Sequence, residues 1–279
     1  MSIVGSLIGI VQALLAVSTL VGDGNWNGGT AIQQQLLTIL PSITRNLGRI
    51  PECQGFASYN ARNLNEKLAK ANSSVRLRPW HNDGTHVGAV SICTLAASWR
   101  VQGQVTESDG RPAFRVQTEH GLEFRDMPNS PEPVVTMKAT NGDIYAFWHT
   151  EMRDTNIFAL RDAAHAMQHA PPHVGQLVTA IIPMISLERD ADITWIIGMH
   201  LGNNSIAQAL QRVSFKVNER GAQTDVVTAT ATIRGVRSFL TIYTLKPPFI
   251  ASITRPNVDE SLFVAYIDAD ALGNTGSGK

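Results

Sequence analysis

Three histidines, His165, His169 and His173, recur every four residues, so the first two would share one helical face, a spacing at which paired imidazoles can hold a metal. Pro171 and Pro172 break the helix before the third. The expectation is a solvated helix end and no metal. The glycines of Gly22-Asp23-Gly24-Asn25-Trp26-Asn27-Gly28-Gly29 lack the Gly-Lys-Ser/Thr ending of a phosphate loop, which leaves an ordinary turn. Cys53 and Cys93 are the only cysteines, too few for a disulfide scaffold and without zinc spacing between them. No Gly-x-Ser-x-Gly elbow or His-Glu-x-x-His helix occurs, so the chain supplies no assembled nucleophile and reads as a non-enzyme without a cofactor. Asn72-Ser73-Ser74 and Asn203-Asn204-Ser205 fit the N-glycosylation acceptor pattern, which matters only in a secretory pathway.

The scaffold around these residues is a globular one. Of 279 residues, 43% are hydrophobic and 16% charged, enough to bury a sizeable core. Lys plus Arg and Asp plus Glu are each 23, a balance that offers no attraction to phosphate backbones or acidic lipid, so nucleic acid is not an expected partner. The stretch 2–22 carries no charge and admits three readings. A secretory signal lacks its basic start, and a membrane span is diluted by Ser2, Gly5, Ser6, Gly9, Gln12, Ser18 and Thr19. The preferred reading is a nearly all-buried core helix stopped at Gly22-Asp23-Gly24, with no stable membrane span.

Thr30 can cap a second helix through Ile32, Leu36, Leu37 and Leu40, ended by Pro41. A third is expected over 55–71, with Phe56, Tyr59, Leu64 and Leu68 inward. From Val75 onwards β-branched and aromatic runs predict strands over 87–99, 113–118, 134–140, 143–149, 156–160 and 178–185. Short helices follow at 163–169 and 191–201, the latter closed by Gly202, and the last strands are 212–217, 226–233, 248–254 and 262–267. Helices lead and strands follow, which argues an α+β fold with large, mostly antiparallel sheets in a single domain over 1–279, with a frayed tail at 273–279.

The most informative stretch runs from Val213-Ser214-Phe215-Lys216-Val217-Asn218-Glu219-Arg220-Gly221 through the threonine-rich segment 222–233 to Arg234-Gly235-Val236-Arg237-Ser238, then Pro248-Phe249-Ile250 and Leu262-Phe263-Val264. It resembles the carboxy-terminal third of a serpin, with Val-Asn-Glu-x-Gly before a reactive-centre loop at about 219–245 and a Pro-Phe that opens a buried strand. Weaker similarity runs upstream in register over 3–21, 30–40, Gly55-Phe56, Leu64-Asn65, 89–99 and Ile182-Pro183-Met184-Ile185-Ser186. The chain departs from the family in length, beginning at its second helix and shortening the passage 75–85, as compact viral members do; a viral source is the expectation. The family's Asn-Ala-x-Tyr-Phe-Lys-Gly-x-Trp pattern stands here as Cys93-Thr94-Leu95-Ala96-Ala97-Ser98-Trp99, without the Asn.

What the resemblance implies is a suicide-substrate inhibitor whose cleaved loop inserts as a new sheet strand, the hinge being Glu219, Arg220, Gly221 and Ala222. Strand parity then assigns one face to Ala222, Thr224, Val226, Thr228, Thr230 and Thr232, all small or β-branched and uncharged, and puts Asp225 on the other. Counted from the hinge at the spacing usual in the family it resembles, the scissile bond falls at Gly235-Val236, and counting back from Pro248 allows Arg237-Ser238. Arg237 is favoured, with Arg234 in reserve, because a guanidinium fits the acidic pocket of trypsin-like proteases. The bait is therefore Arg234, Gly235, Val236, Arg237 and Ser238, and the partner a host serine protease. The alternative is a non-inhibitory serpin-like binding or host-interaction protein that has lost peripheral helices. Family members imply an extracellular place of action, and the lack of a clear signal peptide leaves the host cytoplasm open.

Overall fold

The computed structural model describes residues 3–45, 47, 50–73, 75–80, 83–222 and 241–272. In chain order the amino-terminal elements are β1 (Ile3–Gly5), α1 (Leu7–Val21), β2 (Trp26–Asn27), α2 (Ala31–Thr44), β3 (Cys53–Ser58), α3 (Ala61–Lys70), β4 (His86–Thr94) and β5 (Ala97–Ser98). The middle contributes β6 (Gln104–Ser108), β7 (Arg111–Gln117), β8 (Leu122–Asp126), β9 (Pro133–Lys138), β10 (Ile144–His149), α4 (Ile157–His169), β11 (Leu177–Pro183) and β12 (Ile185–Ala191). The last are β13 (His200–Leu201), β14 (Asn204–Asn218), β15 (Gly221–Ala222), β16 (Thr241–Thr244), β17 (Phe249–Thr254) and β18 (Phe263–Ile267). This is an α+β fold with largely antiparallel sheets. Contacts group it into two compact units, Met1–Val4 with Leu95–Leu187 and Ser214–Lys279, and Gly5–Thr94 with Glu188–Val213.

In the unit containing Gly5–Thr94, α1 forms because Ser6 caps it, its hydroxyl accepting from Gly9 N at 3.1 Å, and Gly22 ends it at φ 99° with its N–H on the Ser18 carbonyl. Leu7, Ile8, Ile10, Val11, Ala13 and Leu14 are all but inaccessible, so the helix is a core helix as far as Val17, while its last turn, with Thr19 and Leu20, is exposed. Among the described residues no helix is long and apolar enough to cross a membrane. In α2 a capping box joins Thr30 and Gln33, but Pro41 does not end the helix as expected. The Ser42 and Thr44 hydroxyls donate back to the carbonyls of Ile39 and Leu40 in the turn that follows the proline.

The helix expected over 55–71 is two elements. β3 pairs antiparallel with β4 from Cys53↔Cys93 to Ser58↔Gly88, and only then does Asn60 cap α3, its Oδ1 accepting from Arg62 N. Gly55 decides this: an added Cβ there would overlap the Gln12 carbonyl, so a bare backbone lets the strand press directly on α1. A cluster of Ala61, Leu64, Leu68, Leu77, Val90 and Leu210 seats α3. The helix expected over 191–201 does not form. Asp192 accepts from Thr194 N at 3.0 Å and from its hydroxyl at 2.6 Å, which turns the chain into a single 3₁₀ turn at Thr194–Ile196 before β13.

In the unit containing Leu95–Leu187, one sheet has the order β1-β18-β17-β10-β9-β8 and a second the order β16-β11-β7-β6. Every residue of β17 is buried, and Phe147 and Phe249 meet edge-on at 6.3 Å. The strand expected over 156–160 is the first turn of α4: Asn156 Oδ1 accepts from the N–H groups of Phe158 and Ala159, both at 2.9 Å. Ile157, Leu160, Ala164 and Met167 then fall on one buried stripe, a helical period that the β-branched start of the segment hides.

Candidate functional site: the turn that ends β14

β14 alternates without a break at its end. Val213, Phe215 and Val217 are buried, while Ser214, Lys216 and Asn218 are half-buried. At Asn218 the chain reverses, because the Asn218 side-chain oxygen accepts from Arg220 N at 2.9 Å and from Gly221 N at 3.2 Å, an Asx turn. Glu219 is buried, its carbonyl accepts from Gly103 N at 2.7 Å, and its carboxylate lies 3.4 Å from the Arg220 guanidinium.

The chain that leaves this turn enters a sheet. Gly221 and Ala222 pair antiparallel with Asn218 and Val217 on one side and with Ser98 and Ala97 on the other, so β15 lies between β14 and β5. Glycine is required at 221 because a Cβ would overlap the Ala97 carbonyl oxygen and stand 2.7 Å from Ser98 Cα. Trp99 secures the turn: its Nε1 donates to the Asn218 carbonyl at 2.8 Å and its backbone N–H to the Arg220 carbonyl at 2.9 Å. The indole is itself wedged edge-on against Tyr145 at 4.9 Å and stacked on Phe114 at 6.4 Å. Thr140 N donates to the Ser98 carbonyl at 2.8 Å, a further hold on β5.

Glu219, Arg220, Gly221 and Ala222 are thus brought together at one turn. Thr224, Val226, Thr228, Thr230 and Thr232, the bait at Arg234, Gly235, Val236, Arg237 and Ser238, the strand expected over 226–233 and the tail 273–279 lie outside the described residues. The chain returns as β16, which runs parallel to β11 at the sheet edge. Burial and the nearby Glu132 carboxylate push the Tyr243 phenol upward, and its ring stands edge-on to Phe124 at 6.2 Å.

Of the other residues singled out for chemistry, His165 and His169 stack with ring centroids 4.2 Å apart, and His169 Nδ1 lies 2.8 Å from the His165 carbonyl. His173 does not join them; its Nδ1 lies 2.5 Å from Asp126 Oδ1, and this contact lowers the Asp126 pKa. Among the described residues no group of three or more His, Cys, Asp or Glu is placed to hold a metal. Asn203 is exposed beside Gly202 in the turn between β13 and β14. The supports from Tyr145, Gly103 and Thr140 escape a sequence reading, since each is remote from the turn in the chain.

No protein-family model matches the chain, and no curated protein matches it in sequence. Solved structures do match in shape. A thyroxine-binding globulin in complex with thyroxine superposes with a TM-score of 0.65 at 10% identity, over 95% of this chain and 92% of that one. The thermophilic serpin tengpin in its native state gives 0.61 at 10% identity over 98% and 89%, and Serpin48 of the insect Tenebrio molitor 0.58 at 10% over 95% and 91%.

Proposed function

We propose that this chain, whose fold is that of the serpins, inhibits a trypsin-like serine protease as a suicide substrate, with Arg234, Gly235, Val236, Arg237 and Ser238 as bait. The observation that carries this reading is β15: the first two residues after the turn already form a strand between β5 and β14. Position 222 is in register with Val217 and Ala97, both buried, and position 221 with Asn218 and Ser98, which are more exposed. A strand continued in that register carries Thr224, Val226, Thr228, Thr230 and Thr232 at the buried positions and Asp225 at the wetter ones. Insertion of these residues would part β4 from β14, which now pair directly, and each would gain a new neighbour with its ladder bonds satisfied. A protease partner outside the cell belongs to the same reading.

A non-inhibitory binding role is the second reading. Asp225-Val226-Val227 stands at the positions that would enter the sheet first, and β-branched bulk there slows insertion relative to ordinary turnover. Incubation with trypsin separates the two. A covalent complex on a denaturing gel, with a cleaved form of raised thermal stability, is the inhibitor's result; cleavage with neither leaves the binding role.

A further inference from the structure

Cys53 and Cys93 stand directly opposite each other in the β3–β4 ladder. The next pair outward is Glu52 with Thr94, and Thr94 N donates to the Glu52 carbonyl at 3.1 Å, so that pair is hydrogen-bonded. Antiparallel ladders alternate, which makes Cys53 and Cys93 a non-hydrogen-bonded pair, the class with Cα atoms about 4.5 Å apart and side chains closest together. That separation falls in the range a disulfide spans, about 4.4 to 6.8 Å. Both residues are buried thiols, and their side chains meet: a hydrogen bond with Cys93, followed by burial, pushes the Cys53 thiol well up. The space they occupy is kept open by a glycine of α1, since a Cβ on Gly9 would lie 2.7 Å from Cys93 Sγ.

We infer that Cys53 and Cys93 form a dithiol/disulfide couple, and that in an oxidising compartment the chain carries a cross-strand disulfide joining β3 to β4. One cysteine, as thiolate, attacks a small disulfide such as oxidised glutathione, forming a mixed disulfide and releasing one glutathione thiolate. The second cysteine, as thiolate, attacks the protein sulfur of that mixed disulfide, forming the Cys53–Cys93 bond and releasing the second glutathione. Two protein thiols are oxidised by two electrons, and one glutathione disulfide is reduced to two thiols. A buried, protonated thiol is a poor nucleophile, so exchange proceeds while the β3–β4 pair is formed and α1 has not yet covered it. The bond closes a loop holding all of α3, so it restricts the unfolded chain and its worth is read as resistance to heat.

The test refolds the full chain from denaturant in a mixture rich in oxidised glutathione and, in parallel, in dithiothreitol. The oxidised monomer is expected to be lighter by two hydrogen atoms, to yield a peptide linking Cys53 and Cys93, and to melt roughly 5 °C higher than the reduced form. Dithiothreitol reverses the shift, and Cys93→Ser refolds alike in both mixtures. A refolded monomer with both thiols still titratable, or an intramolecular disulfide that leaves the melting temperature unchanged or lowers it, would overturn the inference.

Discussion

Trp99 holds the turn after β14 by two backbone acceptors: its indole Nε1 reaches the Asn218 carbonyl at 2.8 Å, and its own N–H reaches the Arg220 carbonyl at 2.9 Å. Because the ring is packed on Phe114 and Tyr145, the position of those two carbonyls is set by the aromatic core of the same unit. Trp99→Phe leaves the Asn218 carbonyl without its donor and a void beside Tyr145. A loss of about 2–3 kcal/mol is expected in denaturant unfolding; a variant within experimental error of the parent would show that the indole does not anchor the turn.

Gly221→Ala drives a Cβ into the Ala97 carbonyl, so β15 must leave its place between β5 and β14. The Trp99 amide, which donates to Arg220, should then exchange with deuterium at least about tenfold faster, a loss of roughly 1.4 kcal/mol of local protection. Unchanged exchange at Trp99 would mean that the sheet accommodates the methyl group.

On the proposed insertion, strand parity from Ala222 would put the charge of Thr228→Arg on the buried face and that of Ala229→Arg on the opposite one. The first should abolish covalent complex formation with trypsin while leaving loop cleavage intact; the second should retain the complex. Inhibition by both variants alike would refute the parity.

Gln211 is wholly buried and joins three elements. Its Oε1 accepts from Ser6 N, and its Nε2 donates to the Ser6 carbonyl and to Ser91 Oγ, each at 2.9 Å. Gln211→Ala removes the side-chain amide that bridges Ser6 and Ser91 in a dry interior, while the Ser6 carbonyl keeps its bond from Ile10 N at the start of α1, with an expected cost of about 1–3 kcal/mol by denaturant unfolding. Water filling the gap at no cost would appear as an unchanged midpoint.

Glu123 accepts from Lys138 Nζ at 2.6 Å and lies 3.4 Å from Arg125, and the lysine, with the arginine's charge, holds its carboxyl below the usual range. The unfolded chain therefore binds this proton more readily than the folded one. The stabilisation is present above the ordinary carboxylate pKa and is lost as pH falls through the lowered folded value. Both side chains of the Glu123–Lys138 pair are about 40% exposed, so the contribution stays under about 1 kcal/mol. Thermal melts from neutral pH downward should show a shallower acid-side decline in Glu123→Gln; parallel curves would remove Glu123 from the account.

Much of the fold was legible in the chain. The uncharged run to Val21 and the Ser6 and Gly22 caps specify α1, and the alternation Val213, Phe215, Val217 specifies the end of β14, because burial of a local period needs no distant information. Asn218-Glu219-Arg220-Gly221 likewise marks a turn from its own residues, since the Asn218 side chain and the bare Gly221 backbone act within a few positions of each other. Three decisions belonged to tertiary structure. Gly55 to Ser58 became a strand where a helix was expected, because α1 lies against Gly55 and β4 supplies a ladder, and partners far away in the chain outweigh a weak local preference. Cys53 and Cys93 came face to face only through that same register, and Trp99 reached Asn218 only across a sheet. Short-range periodicity settles what one segment would bury; the fold settles what it is buried against.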